Sequence, residues 1–152
     1  MTNTELYLYA KAKNGGGGGS SDAEQMVKGI IEGNISELVI PNGVTSIRGY
    51  MFAEFTSLTD ITIPNSVTTI GEGAFFECFS LTSVTIGNGF NVDYLDLSDS
   101  ELLSVDTLVG MLNALADRTG LSAYTLILGS TNLGKLSNEQ IAIATEKNWM
   151  LA

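Results

Sequence analysis

Asp93, Asp96, Asp99 and Glu101 are the densest group of titratable side chains in the chain. Acids packed this closely raise two chemistries, calcium ligation and hydrolysis by paired carboxylates. The spacing is not that of a calcium loop, and the glycine that loop needs at its turn is missing, so a solvated turn is the better reading. Nothing in the sequence places two of these acids across a cleft. Histidine is absent, which removes the commonest general base, the usual zinc ligand and the usual serine and cysteine triads. Cys78 is the only cysteine, so an internal disulfide is ruled out. The run Gly15 to Gly19 lacks the Lys-Ser or Lys-Thr of a phosphate loop and follows no strand of a βα unit. The expectation is a protein without cofactor, metal or catalytic residues.

With 152 residues, 44% of them apolar, the chain has material for one ordinary core and an appendage. Seven basic residues against seventeen acidic ones give a net charge of −10. Nucleic acid and anionic lipid are bound chiefly through Lys and Arg, so neither is an expected partner. No apolar run approaches the ~18 residues of a membrane span, and membrane insertion is not expected. The segment Met1 to Leu6 has neither the basic start nor the apolar centre of a secretory signal. An outside location would then be reached by another route, such as the lysis that releases a particle.

The elements that must position any site come from a repeat. Ile40 to Thr62 and Ile63 to Thr85 are two copies of a 23-residue unit, identical at twelve positions. The offset pairs Pro41 with Pro64, Asn42 with Asn65, Phe52 with Phe75, Phe55 with Cys78 and Leu58 with Leu81. Self-similarity at one offset means stacked units, each burying its apolar side against its neighbours. Cys78, standing where Phe55 stands one copy earlier, then reads as core packing. In each copy a short strand, 35–40, 58–63 and 81–86, places alternate side chains inward, and proline or asparagine ends it. Stacking predicts a parallel ladder, with Phe52 and Phe75 filling the middle of their coils.

Before the repeat, residues 5–13 are strand formers, and seven Gly and Ser residues then form a tether of about 15 Å by random-coil scaling. The arm, with Leu6, Tyr7, Leu8 and Tyr9 as its apolar residues, could dock on its own body or on a neighbour, a disordered tail being the alternative. Ser21 to Glu24 match a capping box, and Ala23, Met26, Val27, Ile30 and Ile31 fall on one helical face closed by Gly33. This helix would cap the stack. After Ile86 the next strand pattern, Tyr94 to Ser98, arrives early, which reads as a coil with its convex half deleted. Val105, Leu108, Leu112, Leu115 and Ala116 share a helical face that Ser104 or Asp106 could start and Gly120 end. Strands at Ala123 to Leu128 and Trp149 to Leu151 follow. Between them a Ser137 to Gln140 capping box, with Leu136 and Ile141 as a hydrophobic staple, opens a helix to about Lys147.

The pattern Leu58-x-x-Ile61-x-Ile63-Pro64-Asn65-x-Val67-x-x-Ile70-x-x-x-x-Phe75-x-x-Cys78-x-x-Leu81 resembles the BspA-type leucine-rich repeat over about residues 35–90. Residues 95–152 look like the carboxy-terminal portion attached to such repeats in surface and prophage-encoded proteins. The resemblance implies an α/β solenoid: a right-handed, leucine-rich-repeat-like coil with a parallel β ladder, an N-terminal capping helix and two C-terminal helices on the convex side. With the arm and tether read above, the chain divides into arm 1–14, linker 15–21 and solenoid 22–152. The resemblance also implies a binding or display role with no catalytic residues to carry over. Few repeats and no signal favour a part in a larger assembly, a phage or prophage particle or a bacterial surface.

The face left for function is the outward side of the ladder. Projecting the register gives one row of Val39, Thr62, Thr85, Asp96, Ile127 and Met150 and another of Glu37, Asp60, Ser83, Tyr94, Thr125 and Asn148. Such a surface suits a protein partner, including other subunits of an assembly, or a surface glycan. Homo-oligomerisation through the arm is one form of that assembly; an adhesion module acting through the ladder face alone is the second reading.

Overall fold

The computed structural model describes residues 35–152. The arm with Leu6 to Tyr9, the linker and the capping helix expected at 22–33 lie outside the described residues. Three strands of the repeat, β1 (Glu37–Val39), β3 (Asp60–Ile63) and β5 (Ser83–Ile86), form a parallel sheet in the order β1-β3-β5. Leu38, Ile61 and Val84 pair in register and are buried, so the apolar alternation points one face of the sheet into the core. Proline carries no N–H, and the ladder stops at Pro41 and Pro64. Gly87 stands where the third proline would be, and its N–H donates to Ile63 O at 2.9 Å, one rung further.

A second strand pair, β2 (Ser46–Ile47) and β4 (Thr69–Ile70), stacks on the return path, where the sequence showed only apolar spacing. Between the two strand rows Phe52 and Phe75 lie fully buried, their rings stacked at 5.7 Å and inclined by 14°. The repeat spacing therefore places identical rings on top of each other, as expected. Thr59 Oγ1 donates to Ser36 O and Thr82 Oγ1 to Thr59 O, so each coil's hydroxyl adds a further donor to a carbonyl of the coil before it that backbone N–H groups already reach.

The stack changes character after β5, and here the expected architecture is corrected. Phe90 is buried 23 residues after buried Val67, so the third copy keeps its register through the turn. Strand β6 (Tyr94–Asp96) accordingly lies beside β4, on the return-path side, and makes no ladder bonds to β5. It opens a separate parallel sheet, β6-β7-β8, with β7 (Tyr124–Ile127) and β8 (Trp149–Leu151). No convex half has been deleted.

What is replaced is the next strand of the first row. Ser104 N donates to Thr82 O, as Thr82 N donates to Thr59 O, but the chain then turns into helix α1 (Val105–Ala114), which packs on β5. Ser104 caps it, accepting from Thr107 N at 3.1 Å, and Leu108, Met111 and Leu112 form its buried face. The helix ends at Leu115, whose residue bridges to Phe90, well short of Gly120. A short helix α2 (Gly129–Leu133), which the sequence did not reveal, turns off β7, and α3 (Asn138–Glu146) then packs on α1. Its capping box between Ser137 and Gln140 is formed in both directions. The two expected helices exist, but they succeed β1-β3-β5 in the same stack rather than lying opposite it. A helical period in the sequence decides this, since Ser104 to Ala114 cannot offer the alternating faces a strand needs.

Cationic side chains are turned inward to hold the helical half. Lys147 Nζ donates to Leu112 O, Asn113 O and Leu115 O at 3.1, 2.6 and 3.0 Å, supplying both donors and positive charge to the carboxyl end of α1. Lys135 Nζ donates to Glu101 O, Leu103 O and Asn132 Oδ1. Arg118 is buried with its guanidinium over the Tyr124 ring and donates to Ser122 O and Asn91 Oδ1.

Candidate functional site

The ten ladder-face candidates do not form one surface. Glu37, Asp60 and Ser83 pair across β1-β3-β5, as do Val39, Thr62 and Thr85, so those six residues stand in two registered rows as expected. All are half-buried except Thr85, which is exposed. Asp60 Oδ2 accepts from Thr59 Oγ1 at 2.6 Å. The chemistry on offer is a small-residue surface with two carboxylates at one side and hydroxyls at the other.

Tyr94, Asp96, Thr125 and Ile127 belong to β6 and β7, on the return-path row, and this separation corrects the projected rows. Tyr94 pairs with Thr125 and Asp96 with Ile127, so their mutual register is as expected. The last step is not: Thr125 pairs with Met150, two residues further than the 23-residue offset predicts, and Ile127 has no rung with Met150. Asn148 sits before the strand with φ of 61°, its amide donating to Arg118 O and Leu121 O, and serves the turn rather than the row. The slip arises between β7 and β8, where helices α2 and α3 take the place of a repeat coil.

The acids that opened the sequence reading are held apart. Asp96 accepts from Ser98 N, Ser98 Oγ and the Tyr94 hydroxyl; Asp99 accepts from Glu77 N at 3.0 Å; Glu101 accepts from Thr131 Oγ1. Asp96 fixes its own turn, Asp99 reaches back to the preceding coil and Glu101 reaches forward to α2, and among the described residues no three potential ligands gather around a point. Burial pushes the Tyr94 phenol above its usual range, and the neighbouring Asp96 and Glu72 add to the shift. Cys78 is buried, its Sγ donating to Phe52 O at 3.1 Å, and burial pushes its thiol up to about 11. A thiol so protonated is a packing group and not a nucleophile at neutral pH.

Sequence reasoning missed the aromatic side chains at the outer turn. Tyr50 is 60% exposed and Phe76 44%, their rings edge to face at 6.3 Å. Tyr50 has φ of 56°, a conformation that its counterpart one copy on, Gly73, adopts without a side chain. The ring crosses the space that Gly73 leaves open, since a Cβ built there would meet it at 2.5 Å. The signal was available: a tyrosine standing where the repeat has glycine.

Stacked coils, parallel strands at a 23-residue interval and buried phenylalanines at the coil centres define a repeat solenoid with parallel strands. Residues 31–98 match the BspA type leucine rich repeat region, in six copies. Among solved structures, a leucine rich cell surface protein from Faecalibacterium prausnitzii A2-165 is similar at 19% identity and a TM-score of 0.34, covering 72% of this chain and 34% of that one. The chain thus spans about a third of the length of that neighbour. No curated protein matches the chain. Among the described residues no helix is long and apolar enough to cross a membrane.

Proposed function

We propose that this chain is a non-enzymatic binding and display module, part of a phage or prophage particle or of a bacterial surface, that engages a protein or glycan through the outward face of β1-β3-β5. The observation that carries this reading is the pair of registered rows, Glu37-Asp60-Ser83 and Val39-Thr62-Thr85, set on a rigid ladder whose other face is core. Rows of short side chains on stacked strands give a partner a flat, evenly spaced surface, and repeat proteins bind along such surfaces. The arm 1–14, joined by its tether 15–21, would anchor the body in the assembly by adding a strand to another polypeptide.

Two alterations separate the roles. Reversing charge with Glu37→Lys and Asp60→Lys should abolish adhesion to bacterial cells while the protein stays folded and assembles normally. Deleting residues 1–20 should leave a folded body that no longer assembles. Adhesion that survives the charge reversal sinks the ladder face as the binding site, and normal assembly after the deletion sinks the arm.

A further inference from the structure

We propose that the outer turn carrying Tyr50 and Phe76 is a second binding surface, independent of the ladder face, and that its occupant is a lysine- or arginine-bearing segment of a protein partner. Two exposed rings in edge-to-face contact form an apolar platform whose faces attract cations. Glutamates alternate with the rings along the paired backbones. Tyr50 N donates to Glu72 O and Glu54 N to Phe76 O, so each ring of one coil has a glutamate of the adjacent coil beside its backbone. Glu54 and Glu72 are both exposed. Phe79, three residues on from Phe76, is also half exposed.

The charge of the body selects the occupant. Residues 35–152 hold thirteen acids against four bases. Three of those bases, Arg118, Lys135 and Lys147, direct their donors to internal carbonyl and amide oxygens, so that Arg48, two residues before Tyr50, is the one exposed base set against thirteen acids on this body. A neutral sugar would use the rings but not the field, and an acidic segment would be repelled by it. A basic segment uses both, its alkyl stems on the rings and its charges against Glu54 and Glu72.

The test titrates a short peptide of alternating lysine and leucine, and its counterpart with glutamate for lysine, into the whole protein at low and high salt. The lysine peptide should bind, more weakly as salt rises, and the glutamate peptide should not. Tyr50→Gly with Phe76→Ala should weaken binding roughly tenfold, the loss of two exposed cation–π contacts. Glycine suits the backbone at position 50, so this variant should melt no lower than Phe76→Ala alone, which separates lost binding from lost folding. Thr62→Ala, on the ladder face, should leave the peptide affinity unchanged, so this site stands or falls apart from the ladder. Equal affinity in the ring variant would show mere attraction to net charge and overturn the proposal. A neutral hexasaccharide binding where the lysine peptide does not would overturn it too, in favour of a glycan.

Discussion

Cys78 shows how a single side chain reports the state of the whole interior. It occupies the place that Phe55 has one copy earlier, a smaller group at the same buried point, and its thiol is pushed up to about 11 by burial against an ordinary value of 9.0. A group whose pKa is raised on folding stabilises the fold in full below its unfolded pKa, and that contribution disappears as pH climbs through the folded one. Stability should therefore hold to about pH 9 and fall by up to roughly 2–3 kcal/mol by pH 11, from this thiol alone. Thermal melts across that interval on the native protein and on Cys78→Ala check it. The variant should lose less with pH; equal slopes would mean that the thiol titrates without unfolding its surroundings.

At the scale of elements, a pair of glycines lets two adjacent coils approach where a side chain would not fit. A Cβ on Gly71 would clash with the backbone of Gly49, and one on Gly49 would stand 2.8 Å from Glu72 O. Neither contact involves a flexible side-chain end that could swing aside. Gly71→Ala should consequently push the first two coils apart and cost about 2 kcal/mol or more, within the range of overpacked cores. Urea denaturation measures it, and an unchanged midpoint would show that the strands slide freely.

Elements also mark where the sequence was legible. The strands 37–39, 60–63 and 83–86, the stacked rings and the capping box at Ser137 were readable because each is written in local periodicity or at one fixed offset. The placement of Tyr94 to Asp96 was not, because two strand rows share the same alternation and nothing in three residues says which row they join. Phe90 at the Val67 position held that information, through its burial on the return path. The site followed the same division. Its first six residues were placed by the offset, and the remaining four were displaced by a row change that no periodicity announces.

Among the described residues, each element packs chiefly on those of the coil beside it. Opening should then be graded along the stack. Leu38→Ala removes a fully buried side chain from β1 and should cost about 2–5 kcal/mol locally. In hydrogen exchange it should accelerate the amides of β1 and β3 most while the β7 and β8 amides keep their native protection. Uniform acceleration along the chain would instead reveal one cooperative unit.

The exchange of strand for helix at Ser104 also decides where such a chain can change length. Ahead of that point every unit presents the same two edges, so another 23-residue module could slip in between Ile63 and Pro64 and meet surfaces it already matches. Behind it, each piece is fitted to one particular predecessor, and a duplicate would find nothing shaped to receive it. The molecule is in that sense extensible from its front half and fixed at its back.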